Sequence, residues 1–306
     1  MKVGVTMKQP NPDSITITLI EAVLASMTVV KNAQKEIHVG ILKSDGTSVS
    51  STDLASEAAG MKVLHSTGLD IWAEERGQSI THTTDEMILF DPLDGTRPFL
   101  TGAISSTVIA ATYSLKKKQV TRCVVGEPVS GRIWFATQGG GTWVFYTSDK
   151  GNIESDIAEA KLCTVWKGSL HNKSTVFLDL YPGFKKEGYP AISDTVWAKF
   201  FQNLFGKTTA ISIFGSNGLH HALVANGAEG VAGAITTAMG GPWDVAPVLL
   251  TLEAGGSAEA FKMFSHTFLE TRDPLDVLDY NLVISANNSE TLTKLEFELL
   301  NIGEKK

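Results

Sequence analysis

Asp91-Pro92-Leu93-Asp94-Gly95-Thr96 follows directly on the apolar run Met87-Ile88-Leu89-Phe90. A short apolar run of this kind reads as a buried strand that delivers both carboxylates to its open end. Proline fixes the backbone between the acids, and glycine then lets the chain approach something closely. Two Asp three residues apart, an intervening carbonyl and a following Thr hydroxyl make a set of hard oxygen ligands. Such a set suits Mg²⁺ or a similar cation and not zinc. Asp-Pro and Asp-Gly are also ordinary turn dipeptides, so the segment gains meaning from its company elsewhere.

That company is acidic. Glu74-Glu75 stands at the end of an expected strand, Leu69–Ala73, and Asp53 at the start of an expected helix. Gly240-Gly241-Pro242-Trp243-Asp244 runs into a helix that ends at Gly255-Gly256. Each has a plainer use when taken singly. Asp53 and Asp244 serve as helix N-caps, Gly255-Gly256 as a C-cap, Glu74-Glu75 as an exposed turn and Trp243 as a wall residue. Gathered in one place, four or more carboxylates repel one another unless cations neutralise them.

The elements that must position these residues follow from periodicity. Leu19, Ile20, Val23, Leu24, Met27 and Val30 recur at helical spacing from a turn at residues 10–14 to about Lys35, and a second helix runs from Asp53 to about Leu64. Ser106–Leu115 and Gln119–Val125 read as a hairpin with the basic tip Lys116-Lys117-Lys118, and Ile133–Thr137 with Thr142–Tyr146 as another around Gly139-Gly140-Gly141. That glycine triplet lacks the Lys-Ser/Thr of a phosphate loop and reads as a tight turn. Past a polar seam at 147–160, strands at 175–180 and 209–214 alternate with helices at 194–204 and 218–224, an α/β pattern.

Composition sets the frame. With 306 residues, 43% hydrophobic and 19% charged, the chain can bury a sizeable core in one large or two intimate domains. A net charge of −7 without a basic block argues against nucleic-acid polymers and anionic membranes as partners. Cys123 and Cys163 sit in strand-like surroundings and read as reduced thiols of a cytoplasmic protein. No secretory signal is read at Met1, and the partly apolar stretch 15–30 is interrupted by Glu21 and Ser26 and too short to span a bilayer.

The order of motifs carries a resemblance. Lys43-x-Asp45-Gly46-Thr47-x-Val49 with Asp53, then Glu74-Glu75, then Asp91 to Thr96, then Trp243-Asp244-x-Ala246 and a later Gly-Gly is similar to the inositol monophosphatase family, over about residues 14–290. That family sits in a superfamily of lithium-sensitive, Mg²⁺-dependent phosphatases. The superfamily also holds 3′(2′),5′-bisphosphate nucleotidases, inositol polyphosphate 1-phosphatases, histidinol-phosphate phosphatases and fructose-1,6-bisphosphatases. The resemblance implies an α/β (α+β) fold, a layered αβαβα sandwich. An N-terminal α+β half over 1–150 would carry the Asp91 motif, and a C-terminal α/β half over 151–306 would carry Asp244 and the specificity residues. It implies two or three Mg²⁺ per site, a metal-activated water as nucleophile and a possible homodimer. It makes Glu74, Asp91, the Leu93 carbonyl and Thr96 neighbours of one metal, and Asp91, Asp94 and Asp244 ligands of another. Asp53 would pair with the Thr96 hydroxyl beside the water, and the Gly95 and Thr96 amides, with Asp244, would meet the substrate. Gly215-Ser216 would line the leaving-group pocket.

Two departures bear on the substrate. Ala73 stands where the family often has Gly, and Arg97-Pro98-Phe99-Leu100-Thr101-Gly102 looks like the Lys/Arg-x-Phe-x-x-Gly form of bisphosphate nucleotidases and histidinol-phosphate phosphatases. The expectation is therefore hydrolysis of a bisphosphorylated nucleotide or an inositol (poly)phosphate. Inositol monophosphatase or histidinol-phosphate phosphatase activity, or a non-catalytic metal- or metabolite-binding homologue, are the alternatives. An unrelated Ca²⁺ domain is disfavoured, because the loops lack EF-hand spacing. Lys167, Lys173, Lys185 and Lys186 are candidates for a second phosphate or for surface solvation, and His220 and His221 for substrate contact or plain burial. Removing one carboxylate, as in Asp94→Asn, relieves local repulsion and is expected to cut turnover by orders of magnitude while barely affecting the fold.

Overall fold

The computed structural model describes residues 9–36, 40–42, 48–79, 84–148, 152–178, 202–204, 210–237, 240–265, 268–278 and 282–300. Residues 43–47, Lys185, Lys186 and most of the helix expected over 194–204 lie outside them.

Among the described residues, five layers stack in the order αβαβα. The outermost holds α1 (Ser14–Ala33) and α2 (Ser51–Leu64). Beneath it lies an eight-stranded sheet of β3 (Asp70–Ala73), β4 (Gly77–Ser79), β5 (Glu86–Asp94), β6 (Thr107–Ser114), β7 (Gln119–Glu127), β8 (Arg132–Thr137), β9 (Gly141–Tyr146) and β10 (Lys161–Leu162). Its order is β10-β9-β8-β7-β6-β5-β3-β4, antiparallel except where β3 runs parallel to β5. The short strands β1 (Ile41–Leu42) and β2 (Ser48–Val49) pair by themselves, and α3 (Thr96–Leu100) and α4 (Ile153–Ala158) are single short helices at the sheet's margins.

A second sheet follows, whose described strands are β11 (Thr175–Leu178), β12 (Ala210–Ser212), β13 (Val231–Thr237), β14 (Ser257–Ser265), β15 (Phe268–Arg272) and β16 (Leu282–Ala286), in the order β12-β11-β13-β16-β14-β15. Helices α5 (Asn217–Asn226) and α6 (Val248–Glu253) fill the space between the sheets, and α7 (Ser289–Leu300) covers the far face.

Strand β5 shows why the layers form. Met87 and Leu89 pack with Leu219 and Leu249 of the middle layer, whereas Ile88 and Phe90 pack with Leu19 and Val23 of α1. A strand covered on both faces needs apolar residues at every position, which its sequence provides. Helix α1, capped by the Asp13 carboxylate on the Thr16 amide at 2.8 Å, is long and apolar enough to cross a membrane by length and composition. Here its Leu19, Ile20, Val23, Met27 and Val30 are buried against the sheet, the use of a core helix. Both cysteines are free and buried.

The glycine triplet is a turn, as its sequence indicates. Its outer amides are taken by the Glu253 carboxylate at the end of α6, Gly139 at 2.7 Å and Gly141 at 2.9 Å. This ties the hairpin tip to the middle layer.

Helix α2 reaches the sheet through Gly60. A Cβ there would fall 2.4 Å from the Phe90 ring and 2.7 Å from the Ser26 hydroxyl oxygen. Gly60→Ala therefore forces α2 away from a buried ring that has nowhere to go. Overpacking of this kind costs about 1–3 kcal/mol, more than the helix-propensity gain of about 1 kcal/mol returns. The variant is expected to show a lowered urea midpoint with an unchanged slope.

Candidate active site

Three residues apart on a regular strand, Asp91 and Asp94 would face opposite sides of the sheet. The pairing of β5 with β6 prevents this. Asp91 stands opposite Ile109 and Asp94 opposite Thr107, three steps against two, so one extra residue is inserted between them. The bulge resets the alternation and turns both carboxylates to the same side. Pro92, which has no amide to pair, sits in the bulge, and its carbonyl accepts the Ser56 hydroxyl at 2.7 Å. The Leu93 amide donates to Asp91 Oδ1 at 2.9 Å.

Asp244 completes the corner: one carboxylate oxygen from each of Asp91, Asp94 and Asp244 lies within 4.8 Å of the others, and all three residues are buried. Asp244 is not a simple N-cap. It closes the single turn Pro242–Asp244, and its Oδ2 reaches back to accept the Gly240 amide at 2.7 Å and the Gly241 amide at 3.2 Å. Gly241 is required there because a Cβ would strike the Trp243 ring at 2.4 Å. Trp243 in turn meets Trp72 of β3 edge-on at 5.8 Å.

Asp94 is the most heavily held of the three. Its Oδ2 accepts the Thr107 hydroxyl at 2.7 Å, the Ser216 hydroxyl at 2.7 Å and the Gly218 amide at 2.8 Å, and its Oδ1 accepts the Asn217 amide at 3.1 Å. The N-terminus of α5, capped by Ser216, is thus aimed at a carboxylate, where its free amides and dipole are most favourable. Ser216 is therefore turned onto Asp94, with its oxygen also accepting the Leu219 amide at 3.3 Å, instead of lining an open pocket. Gly218 permits the approach: a Cβ would fall 3.0 Å from Asp94 Oδ2.

The neighbours are set by α2. Ser50, not Asp53, caps it, and Asp53 sits three residues in, its Oδ2 accepting the Ser50 amide at 2.8 Å. Its Oδ1 lies 2.8 Å from the Thr96 hydroxyl, which is also 3.2 Å from the Leu93 carbonyl and can donate to only one of them at a time. One turn further along α2, the buried Glu57 accepts the Glu75 amide at 2.9 Å and pairs with Arg76 at 3.0 Å, fixing the turn that presents Glu74. Glu74 itself donates its amide to Phe90 of β5 at 3.0 Å. Gly95 adopts the left-handed conformation (φ 86°), and a Cβ there would come within 2.8 Å of the Gly215 carbonyl. The segments before Thr96 and before Ser216 therefore touch backbone to backbone.

Charge dominates the corner. Burial, then the charges of Glu74, Asp94 and Asp244, push the Asp91 carboxyl well above the usual carboxylate range. Burial raises Asp94 against its four donors, and burial with the Asp94 charge pushes Asp244 up to about 6. Burial likewise raises Asp53. The groups that hold Asp94 and Asp244 are neutral hydroxyls and amides, so they leave the negative charge uncancelled. Converging carboxylate oxygens with uncancelled charge fit a small, hard divalent cation.

Other candidates fall elsewhere. His220 and His221 are buried in α5 with pKa values lowered to about 3 by burial. His221 contacts Ser285 of β16 at 3.0 Å, and His220 accepts the Phe214 amide at 3.1 Å, so both are interior residues. Lys167 and Lys173 are exposed. Thr107, Asn217, Gly218 and Glu57 also belong to the site, and nothing in their sequence surroundings marks them for it. The first three are recruited across 13 to 124 residues by a carboxylate, a signal that no local pattern carries.

A model of the inositol monophosphatase family matches residues 11–299, nearly the whole chain. The chain belongs to the inositol monophosphatase family. With that membership it joins the Mg²⁺-dependent phosphoric monoester hydrolases, and Asp91, Asp94 and Asp244 form a buried cluster able to hold the metal. Among solved structures, the extragenic suppressor protein suhB of Bartonella henselae superposes with a TM-score of 0.74 at 20% identity, covering 94% of this chain and 98% of that one. The IMPase of Thermotoga maritima gives 0.69 at 18% identity, covering 92% and 95%. At such identities these likenesses speak for the fold. A curated relative, the glucose-1-phosphate thymidylyltransferase of Streptomyces griseus, is 34% identical over 112 residues; the match takes in 36% of this chain and 41% of that relative's length.

Two expectations follow from the charge. A carboxyl whose folded pKa is raised contributes stability that is complete below its unfolded value and lost as pH rises through the folded one. For Asp244 that loss runs from about pH 4 through 6 and beyond, and Mg²⁺ binding to the ionised cluster reverses it. The stabilisation by 5 mM Mg²⁺ in a thermal melt is therefore expected to be larger at pH 8 than at pH 5. The second concerns substitution. The four donors on Asp94 make it part of the fold, so Asp94→Asn does not spare the structure in the way repulsion alone suggests. Asp91→Asn keeps the carbonyl that accepts the Leu93 amide and relieves the repulsion. Metal-free Asp91→Asn should melt at or above the parent at pH 8, lose its response to Mg²⁺, and turn over at least a hundred-fold more slowly.

Proposed function

We propose that this chain hydrolyses a phosphate monoester of a small metabolite, with a 3′(2′),5′-bisphosphate nucleotide or an inositol polyphosphate as its preferred substrate. The observation that carries the hydrolase reading is the convergence of Asp91, Asp94 and Asp244 at one buried corner in a member of this family. Bound Mg²⁺ would supply Lewis acidity, neutralising the phosphate and lowering the pKa of water. Asp91, Asp94 and Asp244, with Glu74 beside Asp91 and the Leu93 carbonyl, would hold it.

The chain's own groups do the rest. Thr96, its hydroxyl 2.8 Å from Asp53, orients the attacking water and relays its proton, Thr96 Oγ1 accepting from the water as its own proton passes to Asp53 Oδ1. The raised pKa of Asp53 makes it a better base than an exposed carboxylate. The amides of Gly95 and Thr96 bind the phosphate oxygens, and Asp244 meets a substrate hydroxyl. Gly215, against Gly95, stands on the leaving-group side. The bisphosphate preference is supported by Arg97, exposed one residue past Thr96 and able to meet a second phosphate. A cytoplasmic setting is supported by the two buried free thiols. A homodimer and a division into halves near residue 150 complete the proposal on the precedent of the family.

The test is phosphate release from inositol 1-phosphate, inositol 1,4-bisphosphate, adenosine 3′,5′-bisphosphate, histidinol phosphate and fructose 1,6-bisphosphate. Turnover is expected with Mg²⁺ and none after chelation, fastest on the bisphosphates. Silence on all five, or thymidylyl transfer to glucose 1-phosphate, would overturn the proposal.

A further inference from the structure

Beside the metal corner the protein exposes three large apolar residues on two adjoining loops. Ile104 is 62% exposed, Ile213 54% and Phe214 38%. The loops are stitched together next to Gly95: the Ser105 hydroxyl donates to the Phe214 carbonyl at 2.8 Å, and the Ser106 hydroxyl donates to the Gly95 carbonyl at 3.0 Å. Phe214 precedes Gly215, whose carbonyl abuts Gly95, and stands two residues before Ser216, whose hydroxyl rests on Asp94.

Phe214 is not a loose surface side chain. Its ring lies 5.5 Å from Phe177 and 5.9 Å from the buried His220, which itself stacks on Phe177 at 5.5 Å with an interplanar angle of 4°. The Phe214 amide donates to His220 Nε2 at 3.1 Å. Burial keeps His220 neutral and therefore an acceptor throughout the physiological range. Backbone and ring are thus both anchored from the inside, while part of the ring remains open to solvent. An aromatic group fixed in this way loses little conformational freedom when something stacks on it.

The chemistry of this rim separates the two substrate classes. A polyol presents hydroxyls around its whole edge, and apolar walls leave them without partners. A nucleobase or other flat leaving group presents a π-face that stacks on an aromatic ring and apolar edges that suit isoleucine. Resting on the phosphatase reading of the neighbouring carboxylates, we infer that Phe214, with Ile213 next to it in the chain and Ile104 on the adjoining loop, is a specificity platform that stacks the planar leaving group of a nucleotide substrate and selects it over inositol phosphates.

The experiment compares kcat/KM for adenosine 3′,5′-bisphosphate and inositol 1,4-bisphosphate in the parent, Phe214→Leu and Phe214→Trp. Leucine keeps most of the packing on Phe177 and loses the stacking, whereas tryptophan keeps an aromatic face. The parent is expected to prefer the nucleotide. Phe214→Leu should lose about ten-fold in kcat/KM on the nucleotide, mainly through KM, with the inositol ester unchanged. Phe214→Trp should hold the parent's value within about three-fold. An equal fall on both substrates would mark Phe214 as structural and overturn the inference, as would an unchanged nucleotide KM or a parent that prefers the inositol ester. If no ester is turned over, the phosphatase reading fails by itself. Calorimetric binding of adenosine 3′,5′-bisphosphate to the parent and to Phe214→Leu then decides the platform separately, with equal affinities overturning it and a ten-fold difference supporting it.

Discussion

Like charges held together out of water are the constraint on which the rest of the structure turns. At separations within 4.8 Å, each pair among Asp91, Asp94 and Asp244 repels by roughly 3 kcal/mol or more if an effective dielectric of about 20 applies. Three such pairs approach the whole stability of an ordinary domain, about 5–15 kcal/mol. The fold therefore keeps these carboxyls protonated in part or admits cations: burial and the neighbouring charges push Asp244 up to about 6 and hold Asp91 well above the usual carboxylate range. Hydrogen bonds from hydroxyls and amides position the oxygens without cancelling their charge. A scaffold that rigidly aims anions at one point while withholding counter-charge is a scaffold for a metal ion.

Much of the architecture can be understood as the means of holding that point. The bulge in β5 is the least obvious part, because without it Asp91 and Asp94 would be divided between two different cores. Helix α5 contributes its N-terminus, α2 contributes Asp53 and Glu57 from one face, and the turn before α6 contributes Asp244. These elements come from three layers of the sandwich, so the corner exists only when the layers are docked. Gly60, Gly95 and Gly218 mark places where that docking brings chains within a methyl group of each other. The cost of the site is thus spread over the packing of the whole molecule.

Legibility in the sequence followed the range of the interactions. Strands and helices with clear period, the two hairpins, the buried cysteines and the acids of the Asp91 segment were readable because their signals lie within a few residues. The layered fold came through the order of motifs, which is a resemblance and not a consequence of periodicity. The donors on Asp94 were not readable. Thr107 looks like any β-branched residue in a buried strand, and Ser216 like any N-cap, until the fold places both on one carboxylate oxygen. Asp53 and Asp244 looked like caps because local chemistry makes Asp a cap. In the structure Asp53 does bond backward to its helix start, yet its second oxygen serves Thr96, so the plain use and the functional one share a single side chain.

That sharing bears on how such a molecule can vary. The carboxylate corner is built from a strand end, a helix N-terminus and a tight turn, all buried and each serving the fold as well as the site. Moving any of these elements disturbs packing in more than one layer, so the backbone of the corner has little room for alteration even where an isosteric side chain is tolerated. The rim formed by Ile104, Ile213 and Phe214 carries no such double duty on its exposed side, since the inner contacts of Phe214 with Phe177 and His220 fix its position whatever it meets outside. Chemistry and selectivity are therefore held by physically separable parts. The first is constrained by electrostatics that protonation or a bound cation must relieve, and the second by nothing more than the shape and polarity of two loops. Solved structures share this fold at 18–20% identity over nearly the whole chain, so the layers themselves persist through wide changes of sequence.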